Sequence, residues 1–417
     1  MPRTAYPQRT LAMRAVSLTL CAIMAHCKRG SQPARALAAP AAASASTRSE
    51  GLALAQRFEC SRCHTRAGLP PSLLRQDCVQ CHLAVREGRF PGPEEARARW
   101  RSHVVDLVVA PRLEGLSRLH SAWVEAFLLH PSDVRPHLPA TMPRLALSQA
   151  QAHTLAAWLT DVGAEPPTPT DQLPQRALVP EGRALFSRYQ CTQCHNFSDA
   201  AVAPREPALT DATRLAPLLD LARERMRPAQ IAHWIARPTD FAPHTSMPTL
   251  GISSREALAL ASYVMFAPLR PRSACVVPPL LPLLRRPVSF AEVQTEVFAK
   301  TCHHCHADGA FAWGDGGPGN TGGFGFAARG LELATYRGVM SGVLVGGQRE
   351  SIFAEIFQGV SRLEEVLRQR QRETCGDLSG PVRGMPLGHP AVTAEALQLV
   401  RTWVAQGRPL GTTAESQ

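Results

Sequence analysis

The sequence predicts a mostly α protein of three tandem helical domains joined by proline-rich linkers. A chain of 417 residues exceeds what one core usually organises and suggests about three domains. One order of features occurs twice along it: a tryptophan, a proline, a Met-Pro pair, then a serine that opens an apolar helix. The 36 prolines and an aromatic share of only 6% favour short helices joined by extended connections.

Residues 1–48 read as an export signal with a tether. Arg3, Arg9 and Arg14 precede an apolar run over 15–25, about the length of a signal's hydrophobic region and too short to span a bilayer. Cys27 follows in Met24-Ala25-His26-Cys27, which resembles a bacterial lipoprotein box except that His26 stands where a small residue is usual. Lipidation at Cys27 and ordinary cleavage both stay open, and no other membrane anchor is visible. The Ala/Ser-rich stretch 36–47 reads as a flexible tether. The expected location is therefore exported, periplasmic, with Cys27 as the only candidate membrane attachment. Seven of the eleven net positive charges fall in residues 1–48, so a nucleic-acid reading loses its support.

The expected domains cover residues 49–165, 176–268 and 288–410. The first holds Trp123, Pro131, Met142-Pro143 and a helix from Ser148; the second holds Trp234, Pro238, Met247-Pro248 and a helix over 254–266. Ser148 and Ser253 each lie six residues past the methionine and start a capping box, with Gln151 or Glu256 three residues on. Trp158 and Tyr263 stand ten positions beyond these serines, and Leu155, Trp158 and Leu159 fall at the spacing of a buried helix face. The third domain is looser, with a Gly-rich insertion over 314–325, then Met385-Pro386 and a helix from Thr393 carrying Trp403. Proline marks the linkers, at 165–174 and 267–287.

One signature occurs four times: Cys60-Ser-Arg-Cys63-His64, Cys78-Val-Gln-Cys81-His82, Cys191-Thr-Gln-Cys194-His195 and Cys302-His-His-Cys305-His306. With 12 cysteines and 15 histidines, chance would produce roughly 0.01 copies in a scrambled chain. Two thiols at this spacing can bond the vinyl groups of one haem, and the adjacent histidine can ligate its iron. Four covalently attached haems c are expected, with Cys60, Cys63, Cys78, Cys81, Cys191, Cys194, Cys302 and Cys305 as attachment points and His64, His82, His195 and His306 as iron ligands. Cys60 to Cys81 also fits a zinc-ribbon spacing, but the histidine after each pair and the Met-Pro repeats have no use at a zinc site.

An N-terminal helix running into C-x-x-C-H, a Met-Pro loop and a closing aromatic helix together resemble class I cytochrome c, over nearly all of residues 51–407. The third domain, with Gly330-Leu-Glu-Leu, Met385-Pro386 and Trp403-Val-Ala-Gln-Gly407, resembles the type found in large planctomycete proteins. The resemblance implies three cytochrome c-like helical domains wrapped around haem, with His and Met as axial ligands. Three of the six methionines past the leader precede proline, where roughly half of one is expected from proline's frequency. Met142, Met247 and Met385 are the candidate sulfur ligands, against the ordinary use of methionine as core filler.

The second motif lacks a Met-Pro partner. Between the attachment site and the matching Ala-Pro segments, taken as Ala110-Pro111 and Ala203-Pro204, the first domain has extra chain that contains Cys78 and His82. That haem reads as an insertion whose second ligand comes from the insertion or nearby, with His103 the candidate. His120, His130 and an open position are alternatives, and His137 is weaker because His244 holds its place in the second domain. Cys275 and Cys375, outside every motif, are expected to pair in an oxidising compartment. The function expected is electron transfer between redox protein partners, a donor and an acceptor. The rival is a haem enzyme resembling dihaem peroxidases, with an open iron at the second motif.

Overall fold

The computed structural model describes residues 43–74, 76–104, 109–132, 134–135, 142–161, 173–203, 210–243, 245–307 and 323–411. The leader and Cys27 lie outside them. Ser44 accepts a hydrogen bond from the Thr47 N–H and opens α1 (Ala45–Arg57), so the last residues of the expected tether are already helical. Past the end of α1, Glu59 takes a left-handed φ of 55°, and Cys60–Arg62 forms a single 3₁₀ turn. Two helices of the inserted chain follow, α2 (Cys78–Arg86), capped by Asp77, and α3 (Glu94–His103). Then come α4 (Ser121–Leu129) and α5 (Gln149–Leu159), which begins with the expected capping box of Ser148 and Gln151.

The middle stretch repeats this order. Helix α6 (Val179–Arg188) runs towards Gln190, again at φ 55°, and a 3₁₀ turn at Cys191–Gln193. Short helices α7 (Asp211–Leu215) and α8 (Ala222–Arg225) precede α9 (Pro228–Ala236) and α10 (Ser254–Phe266), the last opened by the Ser253–Glu256 box. Helices α4 and α9 end alike: His130 has φ −138°, ψ 70° and Arg237 has φ −141°, ψ 69°. Aligned on these ends, Phe127 is the counterpart of Trp234. Trp123, expected from residue type to correspond to Trp234, lies one helical turn too early, because distance from the proline sets the register.

Gly51 and Gly182 allow the close crossings that hold each set together. A Cβ on Gly51 would lie 2.4 Å from Trp158 of α5, and one on Gly182 only 2.0 Å from the Ala259 carbonyl of α10. These helix pairs enclose one continuous core, in which Phe58, Leu155 and Trp158 from the first set join Phe186, Leu260 and Tyr263 from the second.

In the C-terminal stretch, α11 (Phe290–Val293) passes through a wider π-helical segment, Gln294–Cys302, into α12 (His303–His306). Helix α13 (Tyr336–Ser341) leads to the antiparallel pair β1 (Val343–Val345) and β2 (Gln348–Glu350), with Val343 opposite Glu350. The pair β3 (Glu355–Phe357) and β4 (Val360–Ser361) follows, then α14 (Arg362–Thr374) and α15 (Ala394–Ala405), which Thr393 caps as expected. Phe298, Val400 and Trp403 centre its separate core. The inserted chain has a small core of its own from Ala84, Val85, Phe90 and Trp100.

The architecture is mostly α, as expected, with two small hairpins that the sequence had not suggested. The described residues fall in one compact unit. The chain over 268–287 has no regular secondary structure, and its end runs along α15, where Arg401 donates to the Leu281 carbonyl (2.8 Å) and Thr402 Oγ1 accepts from the Leu284 N–H (3.0 Å). Cys275 and Cys375 form a disulfide with their Cα atoms 5.2 Å apart. Among the described residues no helix is long and apolar enough to cross a membrane.

Candidate haem sites

The first and third motifs share one geometry. In each, the residue before the first cysteine is left-handed, which ends the helix and starts the 3₁₀ turn that brings the histidine back. His64 Nδ1 lies 2.7 Å from the Pro111 carbonyl, and His195 Nδ1 lies 2.9 Å from the Pro217 carbonyl. A carbonyl only accepts, so Nδ1 carries the proton and Nε2 keeps its lone pair. Burial lowers the pKa of both imidazoles, partly offset by the carbonyl, and so favours the neutral form that can ligate iron. Desolvation pushes the half-buried Cys60 and Cys191 thiols each up to about 11, which keeps both protonated.

This pairing corrects the match made from sequence. Pro111 corresponds to Pro217, not Pro204, which lies outside the described residues. The two Ala-Pro pairs look alike, and only the hydrogen bond tells which one faces the histidine. The separation from histidine to proline is 47 residues in the first set and 22 in the second, so the extra chain remains, and it carries α2 and α3.

The other two motifs sit on helices. Cys302 to His306 continues the α11 helix, and His306 Nδ1 faces the Leu331 carbonyl without the alignment of a full hydrogen bond. Burial lowers the His306 pKa and raises Cys302 to about 12. On α2, His82 is 8% exposed. The thiols of Cys63 and Cys78 hydrogen-bond, which draws Cys78 down and Cys63 up, and Cys78 also interacts with His304 and Cys305. Three of the four motifs therefore meet in space, although the fourth lies more than two hundred residues from the second.

Of the sulfur candidates, Met142 is half-buried against the shared core, and Met247 Sδ accepts from Trp234 Nε1 at 3.1 Å. The Met385 N–H donates to the Val366 carbonyl at 2.8 Å. His103 ends α3, with a side chain outside the described set, as are His137 and His244. His120 and His130 flank α4. Sequence reasoning missed His304, whose ring lies beside that of His82. The signal was present in the two histidines inside the fourth motif. Among the described residues no group of three His, Cys, Asp or Glu side chains is arranged to hold a bare metal ion.

A half-buried cationic cluster adjoins the first and third motifs' helix sets. Burial, then Arg118 and Arg135, lower the Arg225 guanidinium to about 10, and its Nε is buried without a partner. Such a group suits a carboxylate, and haem carries two as propionates. The protonation of His64 and His195 and the unpartnered Arg225 Nε both fit haem.

No curated protein and no solved structure matches the chain. Residues 179–267 match the family model of cytochrome c. The chain is thus mostly helical and contains one class I cytochrome c domain, of a fold compatible with haem binding and with electron transfer between redox partners.

Proposed function

We propose that this protein is an exported tetrahaem c-type cytochrome that carries electrons between redox protein partners. The observation that carries the reading is the paired histidine–proline contact, His64 with Pro111 and His195 with Pro217, because the first lies outside the family match and repeats the geometry inside it. On this reading residues 49–165 hold two haems, and 176–268 and 288–410 hold one each. When bound, haem supplies one-electron chemistry. The chain's part is to hold and tune it. The eight motif cysteines anchor it, and His64, His82, His195 and His306 present a lone pair to iron. Met142, Met247 and Met385 would supply sulfur ligands, which would favour the ferrous state. The Cys275–Cys375 disulfide supports an oxidising, exported location reached through the leader, with Cys27 the only candidate for a lipid anchor.

The test is a haem count per chain by pyridine haemochrome, with spin state and peroxide turnover measured on the same sample. Four haems, no peroxide turnover and reversible one-electron titration are expected. Met247→Ala is expected to turn one haem high-spin and lower its potential. Three haems or fewer would refute the tetrahaem reading, and peroxide turnover would replace the carrier by an enzyme of dihaem-peroxidase type.

A further inference from the structure

The second motif is the one without a Met-Pro pair, and its histidine has a close neighbour from a distant part of the chain. The ring centroids of His82 and His304 lie 6.2 Å apart, with their planes at 74°. A metal held axially between two imidazoles separates their centroids by roughly 6 Å, given about 2 Å for each metal–nitrogen bond. The two rings thus stand at the spacing of an axial pair. Cys78, on the same helix as His82, also interacts with His304. The placement is built from both sides: α2 and its small core fix His82, while the long α11-to-α12 helix fixes His304.

We infer that His304 is the second axial ligand of the haem attached at Cys78 and Cys81, opposite His82. This rests on the reading that the second motif carries a haem. The ligand of that haem then comes from between the two attachment cysteines of another, Cys302 and Cys305. The second and fourth haems are joined through one short stretch of chain, which makes them neighbours in electron transfer despite their distance in sequence. A His/His pair also sets the second haem at a lower potential than its His/Met companions. His389, with its ring centroid 5.3 Å from that of His304, is a positioning residue. Its carbonyl accepts from Arg370 Nε at 3.1 Å and Nη2 at 2.8 Å, which anchors the segment that carries it.

The test compares His304→Ala, His304→Met and His103→Ala in the haem-loaded full chain, by ferric spin state, haem count and redox titration. His304→Ala is expected to keep four haems and turn one high-spin, with low spin restored by added imidazole. His304→Met is expected to stay low-spin with the potential of one haem raised, and it decides the matter if the alanine variant does not fold. Four low-spin haems in His304→Ala, unchanged potentials in His304→Met, or a high-spin haem in His103→Ala alone would overturn the assignment. Three haems in the unaltered protein, with Cys78 and Cys81 open to alkylation, would instead refute the second haem itself.

Discussion

Leu119 and Met226 face each other across an antiparallel bridge, and they are the same position of the two repeated helix sets. The hydrogen bonds on either side are also equivalent: the His120 N–H donates to Arg225 O and the Arg227 N–H donates to Arg118 O, both at 2.8 Å. A self-complementary contact of this kind is what a local two-fold axis produces. The two sets are packed like the halves of a dimer joined in one chain, and this explains why they share a core.

Both bridge residues are 7% exposed, so truncating either should cost about 2–4 kcal/mol. Leu119→Ala and Met226→Ala are expected to be non-additive by at least about 0.5 kcal/mol, since each removes part of the other's surroundings. A double-mutant cycle by urea denaturation measures this coupling.

Arg225 is predicted to act on haem potential. Arg225→Gln removes a half-buried positive charge, and its removal favours oxidised iron, so the midpoint potential of at least one haem should fall in a spectroelectrochemical titration. Unchanged potentials would separate this arginine from every haem.

Asp199 is 1% exposed and accepts from the Tyr263 hydroxyl at 2.6 Å and from Arg183 Nε at 2.9 Å. Burial pushes its pKa up, but Tyr263, the Ala201 N–H and Arg183 outweigh this and leave it below the usual value. A depressed carboxylate stabilises the fold above its unfolded pKa, about 3.9, and that contribution is lost as pH falls through the folded value. Asp199→Asn should cost about 2–3 kcal/mol at neutral pH and flatten the dependence of Tm on pH below about 4.

The Cys275–Cys375 bond closes a loop of sequence separation 100 and ties the 268–287 connection to the end of α14. Replacing both cysteines by serine should lower stability by about 2–4 kcal/mol. Differential scanning calorimetry of the double variant, with haem content matched, checks the size of the loss.

Local order was legible in the sequence wherever the signal lay within about ten residues. The capping boxes at Ser148 and Ser253, the cap at Thr393 and the buried face of Leu155 and Trp158 depend on spacing along one helix, and each formed where expected. The four Cys-x-x-Cys-His motifs are legible for the same reason, since their chemistry is contained in five consecutive residues.

What the chain alone determined is therefore the inventory: the helices, their caps, four Cys-x-x-Cys-His motifs and the presence of inserted chain. Tertiary structure decided the partners. Pro217 rather than Pro204 faces the histidine, Phe127 rather than Trp123 corresponds to Trp234, and His304 reaches His82, because these relations pair segments that come together only when the core closes. Spacing along a sequence measures distance along a helix, but it carries no measure of distance across a core.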